Sequence, residues 1–342
     1  MRILLINVDC RFNLAIRRMY AYFIKDNEVE MRDLKYSCYP HKKHITIDAT
    51  GFDRVYVSNI FEMNKDRVEI TNCPFVEFGG IGSNFPENKL PDEIESTEPF
   101  YFDSEDTSYG FLTRGCIRNC WFCKVPKNEG KIRGYNDVDK VVKHKKAVFL
   151  DNNILAYDGC CDIFRWLIEH KIKCEFNQGL DFRLVNDENL YLLSQLKYTS
   201  EYTFAFDDPS YKPLLNEKIG LMKKYISTPW KIRFFVYYHP DMSLEGLIDR
   251  IEWCRKHECK PYVTRDIACW GGGEEGRWKS DFLKDLAAYC NQPQFFKKQS
   301  FEQYLINTRY LNMESAKERV QRNIEIYNKC LEKCKDDDES LR

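Results

Sequence analysis

In the segment Tyr109-Gly-Phe-Leu-Thr-Arg-Gly-Cys-Ile-Arg-Asn-Cys-Trp-Phe-Cys-Lys124, the thiols of Cys116, Cys120 and Cys123 follow a C-x-x-x-C-x-x-C spacing at the end of an apolar run. Three thiolates so placed can hold three corners of a cubane iron–sulfur cluster. A [4Fe–4S] cluster has four irons, so the last stays open to something other than protein. That corner is where chemistry would happen. Arg114 and Arg118 bring positive charge beside the thiols and are expected to lower their pKa values, favouring the ligating form.

The bland alternative is a structural zinc site. Zinc of that kind usually takes four ligands arranged as two close pairs. Neither Cys160-Cys161 nor Cys174 supplies a second C-x-x-C, and no His follows at finger spacing. Ligand count and geometry therefore favour iron–sulfur.

The segment resembles the cysteine signature of the radical S-adenosylmethionine (SAM) superfamily. That resemblance implies that the amino and carboxylate groups of SAM chelate the open iron. An electron from the cluster then cleaves SAM to methionine and a 5′-deoxyadenosyl radical, which abstracts hydrogen from a substrate. The cofactors supply the reactivity; the protein positions, tunes and excludes water. Phe122 matches the family position that packs against the SAM adenine. An external electron donor such as flavodoxin or ferredoxin is implied as partner.

Such a loop needs a scaffold, and the pattern from Tyr109 onward is strand then helix, repeated. Strand-like runs fall at Gly110 to Thr113, Ala147 to Leu150, Lys173 to Phe176, Tyr202 to Phe206, Ile232 to Tyr238 and Pro261 to Thr264. Helical patterns intervene at Val138 to Lys145, Asp162 to His170, Asp187 to Leu196, Leu215 to Tyr225, Leu244 to Lys256 and Asp281 to Tyr289. Short buried strands alternating with amphipathic helices predict a parallel sheet, because parallel neighbours need crossovers. Six units match the partial (β/α)6 TIM-type barrel of the radical SAM core. Before them, Arg2 to Asn7, Val29 to Leu34 and Arg54 to Ile60 read as strands and Asn13 to Lys25 as a helix, a small Rossmann-like lobe. It resembles the cobalamin-type lobe of several subfamilies, but Asp-x-His-x-x-Gly is missing around His41 and His44, so no cobalamin is expected. Phe301 to Cys334 carries helical periodicity through Met313, Val320, Ile324, Tyr327 and Leu331, and Asp336 to Arg342 reads as a solvated tail. The α/β chain is thus expected to divide into a lobe at 1–100, a barrel core at 101–291 and a helical extension at 292–342.

Chemistry in such barrels gathers at the carboxyl ends of the strands, and those ends are polar here. They read Asp151-Asn152-Asn153, Asn177-Gln178-Gly179-Leu180-Asp181, Asp207-Asp208-Pro209, Tyr237-Tyr238-His239 and Arg265-Asp266. Asn152 and Asn153 occupy the place where the family binds the SAM amino group, although the usual Gly-Gly-Glu is absent. Gln178 and Arg183 are candidates for the SAM ribose and carboxylate, since an amide both donates and accepts and a guanidinium grips a carboxylate with two bonds. A Gln-Gly pair also makes a turn, and Arg183 also suits a helix cap. Asp181, Asp207 and Asp208 remain for a substrate with paired N–H donors, such as a guanine-like face, because buried carboxylates are costly without donors. Tyr238 and Arg265 complete that set, and Tyr237, Trp270 and Trp278 could stack on a flat ring. Gly79-Gly-Ile-Gly82 lacks the Lys-Ser/Thr of a phosphate loop and reads as an interdomain turn, while Gly271 to Gly276 reads as a mobile cover over the barrel mouth or as a plain linker.

Composition narrows the class. Lys and Arg total 52 against 53 for Asp and Glu, so no global field attracts a polyanion, and the 15 cysteines in a leaderless chain read as reduced thiols plus a metal site. No apolar run approaches membrane-spanning length, so a cytoplasmic enzyme without membrane contact is expected. Gly-Phe-Leu-Thr-Arg-Gly-Cys and Phe-Asn-Gln-Gly-Leu-Asp segments, with the degenerate lobe, are similar to free-standing radical SAM lyases of 7-deazaguanine bases. Radical modification of a nucleic acid or peptide, or a noncatalytic iron–sulfur sensor, are the alternatives.

Overall fold

The computed structural model describes residues 1–34, 44–61, 64, 66–83, 89–270, 274–308 and 314–340, with the side chains of 267, 270, 274–280, 315 and 335–340 outside that description. His41, Met313 and the ring systems of Trp270 and Trp278 therefore lie outside the described residues. Two compact units emerge, Met1–Gly110 and Phe111–Arg342.

The first unit runs β1 (Arg2–Val8), α1 (Leu14–Phe23), β2 (Glu28–Leu34), β3 (Ile45–Asp48), β4 (Arg54–Asn59), β5 (Val68–Thr71), β6 (Val76–Gly79), α2 (Asp92–Glu95) and β7 (Thr107–Gly110). A parallel sheet has the order β2-β1-β4-β6, and β3 and β5 form a separate parallel pair. The apolar run of β1 is buried on both faces, as a covered parallel strand requires. Its alternation divides the core: Ile3 and Leu5 pack with Ile16 and Met19 of α1, whereas Leu4, Ile6 and Val8 pack with Ile47 and Val68 of the β3–β5 pair. Asn13 starts α1 by accepting the Ile16 N–H at 3.2 Å. Gly79 to Gly82 lies inside this unit rather than between units. A Cβ on Gly80 would stand 2.3 Å from the Asn59 carbonyl oxygen, so the glycines are there for close backbone approach.

The second unit contains β8 (Thr113–Arg114), α3 (Val125–Glu129), β9 (Arg133–Gly134), α4 (Val138–Val141), β10 (Lys146–Phe149), α5 (Cys160–Glu169), β11 (Lys173–Phe176), α6 (Asp187–Gln195), β12 (Lys197–Tyr198), β13 (Tyr202–Ala205), α7 (Lys212–Tyr225), β14 (Ile232–Tyr238), α8 (Leu244–Lys256), β15 (Lys260–Arg265), α9 (Glu274–Cys290), α10 (Pro293–Phe296), α11 (Phe301–Thr308) and α12 (Glu314–Ser340). β10, β11 and β12 pair in parallel, as do β13, β14 and β15, while β8 and β9 form a short antiparallel pair at the base of the segment that carries the cysteines and α3. Leu180 joins the two parallel sets: its N–H donates to the Thr203 carbonyl at 2.7 Å and its carbonyl accepts the Ala205 N–H at 3.1 Å. The chain is therefore a mixed α/β protein with parallel sheets, and the strand ends that carry polar residues face one common edge.

Several boundaries differ from expectation. The run Gly110 to Thr113 is not one strand; β7 stops at Gly110 and β8 begins at Thr113, with a kink between. The helix expected over Val138 to Lys145 stops at Val141, and β10 takes Lys146. Of the glycine-rich stretch expected as a cover, 271–273 lie outside the described residues and Glu274 opens α9. The C-terminal periodicity belongs to two helices, α11 and α12. α12 is held by Arg319, which meets Asp285 at 2.8 Å, and by Asn323, which donates to Asp285 at 2.9 Å. No helix among the described residues is long and apolar enough to cross a membrane, and every described cysteine is free.

Candidate functional site

Two carboxylates shape the cysteine loop before any thiol is considered. Asp151, at the carboxyl end of β10 and 1% exposed, accepts through one oxygen from the Leu112 N–H (3.1 Å), the Thr113 N–H (2.5 Å) and the Thr113 hydroxyl (2.7 Å). It thus satisfies donors at the kink between β7 and β8. Its other oxygen has no partner, and burial pushes its pKa up to about 6 against the pull of the Thr113 donors. Glu129, at the end of α3, accepts from the Gly115 N–H at 3.1 Å, the Asn152 amide at 2.8 Å and the Arg114 guanidinium at 3.2 Å. Gly115 has φ +84°, and a Cβ there would stand 2.3 Å from the Lys131 carbonyl oxygen, so only glycine lets the β8–β9 pair close the base of the loop. Asp151 and Glu129 were not among the sequence candidates. A lone acid next to polar neighbours carries no signal that sets it apart from a solvated one.

The loop then presents its thiols. Cys116 accepts the Arg118 N–H at 3.3 Å and lies 3.6 Å from the Asn153 amide nitrogen, while its own N–H donates to the Gly130 carbonyl at 3.1 Å. The Cys123 N–H donates to the Cys120 carbonyl at 2.9 Å, closing the C-x-x-C turn. Burial raises the Cys120 and Cys123 thiols; Arg183 opposes this at Cys120 and the Val125 N–H at Cys123, while the neighbouring thiols add to it. The expectation that Arg114 and Arg118 lower these pKa values is corrected: Arg114 is paired with Glu129, and Arg118 with Asp181 at 2.7 Å. The cation that acts on Cys120 is Arg183.

The thiols that feel one another are also held against the carboxyl edge of the strands. Arg118 ties the loop to Asp181 beyond β11, and Phe122 stacks on Tyr237 of β14 at 4.1 Å with an interplanar angle of 20°. Trp121, 63% exposed, meets the His239 ring edge-on at 5.1 Å. Asn153 is buried with its carbonyl oxygen unpartnered, beside Cys116.

The structure redistributes the other candidates. Asp181 is 5% exposed and clasped by Arg183 at 2.6 Å and Arg118; burial would raise its carboxyl, but these two guanidinium groups hold it below the ordinary value. Its lone pairs are committed to arginines rather than offered to a ligand, and Arg183, stacked over Tyr211 at 4.5 Å, is committed with it. Asn152 is likewise engaged by Glu129. Gln178 is exposed on the turn after β11. Asp208 caps the following turn by accepting the Ser210 N–H at 2.8 Å. Tyr238 is 2% exposed among the core side chains under the helices, where burial pushes its hydroxyl up to about 12. Its neighbour Tyr237 occupies the site face instead and donates to Asp266 at 2.8 Å. Arg265 stands half-buried at the end of β15.

Asp207 keeps capacity for a ligand. One oxygen accepts the Tyr237 N–H at 3.2 Å, and burial pushes its pKa up to about 6 against the attraction of Arg250. Arg250 is fully buried and donates to the carbonyls of Gly246 (2.9 Å), Phe206 (2.9 Å) and Tyr237 (3.1 Å), with its pKa lowered to about 10 by burial.

Among the described residues no set of three or more His, Cys, Asp or Glu converges as ligands of a single ion do. A cubane asks for something else, one thiolate at each of three separate irons. Cys116, Cys120 and Cys123 are the residues that could hold it, with soft donors of the right kind on one short loop. No protein-family model matches the chain, and no curated protein matches it.

Proposed function

We propose that the second unit is a radical SAM enzyme, a partial (β/α)6 barrel whose Cys116, Cys120 and Cys123 hold a [4Fe–4S] cluster and leave its fourth iron to SAM. One observation carries the reading: a loop with three half-buried thiols is fastened to the carboxyl ends of β10, β11 and β14 through Asp151, Asp181 and Tyr237. Parallel α/β scaffolds gather their chemistry at that edge. Bound there, cluster and SAM would supply a 5′-deoxyadenosyl radical able to abstract hydrogen.

The chain's own residues then have distinct tasks. Asp151 and Glu129 fix the backbone that carries Cys116. The Arg118–Asp181–Arg183 clasp keeps positive charge beside Cys120, where a cluster with thiolate ligands accumulates negative charge. Phe122 is set by Tyr237, and the unpartnered Asn153 oxygen offers an acceptor beside the thiols for an ammonium group such as that of SAM. Asp207, balanced near neutrality, can accept from or donate to the N–H face of a heterocycle.

The substrate we favour is queuine, a 7-deazaguanine base, cleaved to its 7-aminomethyl precursor in queuosine salvage; the activity is that of a queuine lyase. Reconstitution with iron and sulfide under anaerobic conditions, followed by dithionite, SAM and queuine, tests this. The expected result is 5′-deoxyadenosine together with the aminomethyl base. Iron-loaded protein that forms no 5′-deoxyadenosine would sink the catalytic reading and leave an iron–sulfur sensor. Cys120→Ala should lose the cluster's visible absorbance while keeping the fold by circular dichroism.

A further inference from the structure

Cys160 and Cys161 open α5 and take no part in the loop that carries Cys116, Cys120 and Cys123. Successive side chains on a helix point about 100° apart, so immediate neighbours normally diverge. These two converge: their sulfur atoms stand 3.9 Å apart, and either can donate to the other. Cys160 is 6% exposed and packs in the core of the second unit, while Cys161 is half-buried at its edge. The backbone beneath them is fixed as well. The Cys160 N–H donates to the Tyr157 carbonyl at 2.9 Å, and a Cβ on Gly159 would stand 2.7 Å from the Tyr157 ring, so the turn into α5 is wrapped on that ring. Burial pushes the Cys160 thiol up to about 12 and also raises Cys161, so at neutral pH both are thiols rather than thiolates. Alkylation and oxidation, which need a thiolate, are therefore slow here.

Two sulfurs held in contact suit a soft centre that takes both at once. A structural zinc ion asks for four ligands, and among the described residues no set of three or more His, Cys, Asp or Glu converges. Glu188, whose charge is felt by both thiols, is taken by Arg165. The fitting centre is one that needs two sulfurs and brings its own third substituent. We propose that Cys160 and Cys161 form a chelating dithiol site for a monosubstituted trivalent arsenical, R–As(OH)2, distinct from the cysteine loop. Capture is a condensation. Two S–H bonds and two As–OH bonds break, two As–S bonds form, and two waters leave. Arsenic stays trivalent, so no oxidant or reductant is required.

The test is native mass spectrometry of the full chain with phenylarsine oxide, which hydrates to such a species, followed by peptide mapping of the adduct. It is run on protein carrying Cys116→Ala, Cys120→Ala and Cys123→Ala, so that neither cluster assembly nor the loop thiols enter the result. The expected product carries one phenylarsenic group in place of two protons, on the peptide that contains Cys160 and Cys161. Excess glutathione should leave it in place and 2,3-dimercaptopropanol should remove it. Added to that background, Cys161→Ser should weaken capture by about a hundredfold or more, because the second As–S bond is made within one molecule. Cys160→Ser should do the same. A pair that serves packing alone would change stability toward urea in these variants and leave arsenical affinity where it was. An adduct that maps to other cysteines, or serine variants that bind as tightly as their parent, overturns the site.

Discussion

Asp151 shows how much one side chain can organise. Its single bonded oxygen satisfies two backbone N–H groups and one hydroxyl at the kink before Arg114. Asp151→Ala would strand all three in a buried place, a loss of about 3 kcal/mol, visible as a lower urea midpoint and lower iron uptake on reconstitution. Asp151→Asn keeps an accepting oxygen and should retain the loop. The pH dependence has a definite sign. The native carboxyl sits near 6 against an ordinary 3.8, so the folded protein holds this proton more tightly than the unfolded chain. That contribution is complete below about pH 4 and fades as pH climbs through about 6. Relative to wild type, Asp151→Asn should therefore gain stability between pH 4 and 7, measured by chemical denaturation. A constant difference across that range would show that the carboxyl is not shifted.

At the scale of elements, legibility followed periodicity. β1, β11 and β14 and helices α5 to α8 were readable because buried runs or a helical apolar stripe define them without help from the rest of the fold. β3 and β5, with one buried side chain each, and β8, β9 and β12, of two residues each, were not, because so little apolar pattern exists apart from a partner strand. The same limit applied inside the site. Ile-Arg-Phe-Phe-Val-Tyr-Tyr contains aromatic residues in both phases, so the sequence could not say whether Tyr237 or Tyr238 faces the loop; alternation along β14 chose Tyr237. The cysteines were legible because spacing alone carries ligand chemistry, whereas the clasp on Asp181 joins residues 63 positions apart. A further element depends on one buried acid. Asp285 is fully buried and receives Arg319 and Asn323 of α12. Asp285→Ala should destabilise by about 2–3 kcal/mol, since it leaves the Asn323 amide unanswered and Arg319 with only Asp281, and should expose α12 to limited proteolysis first. Cleavage elsewhere before α12 would contradict that attachment.

At the scale of the whole molecule, each unit has its own set of buried apolar side chains among the described residues. The side chains buried around β1 and β4 come from residues 3–94, and those around β10 to β15 from residue 112 onward. Ile6, completely buried, belongs to the first group. Ile6→Ala should cost the first unit about 3 kcal/mol, yet iron uptake by the cysteine loop should stay at the wild-type level. Loss of iron in step with that destabilisation would mean the two units stand or fall together.

The guanidinium of Arg250 pins three carbonyls belonging to the exits of β13 and β14 and the first turn of α8. A planar fork can meet three acceptors at once, and an ammonium on a flexible stem cannot hold them in the same plane. Arg250→Lys should therefore loosen the exits of β13 and β14 even though the charge is kept, whereas exchanges of the exposed side chains at those exits should leave them in place. One cation, anchored in the core, thus holds two neighbouring strand exits and a helix start in register.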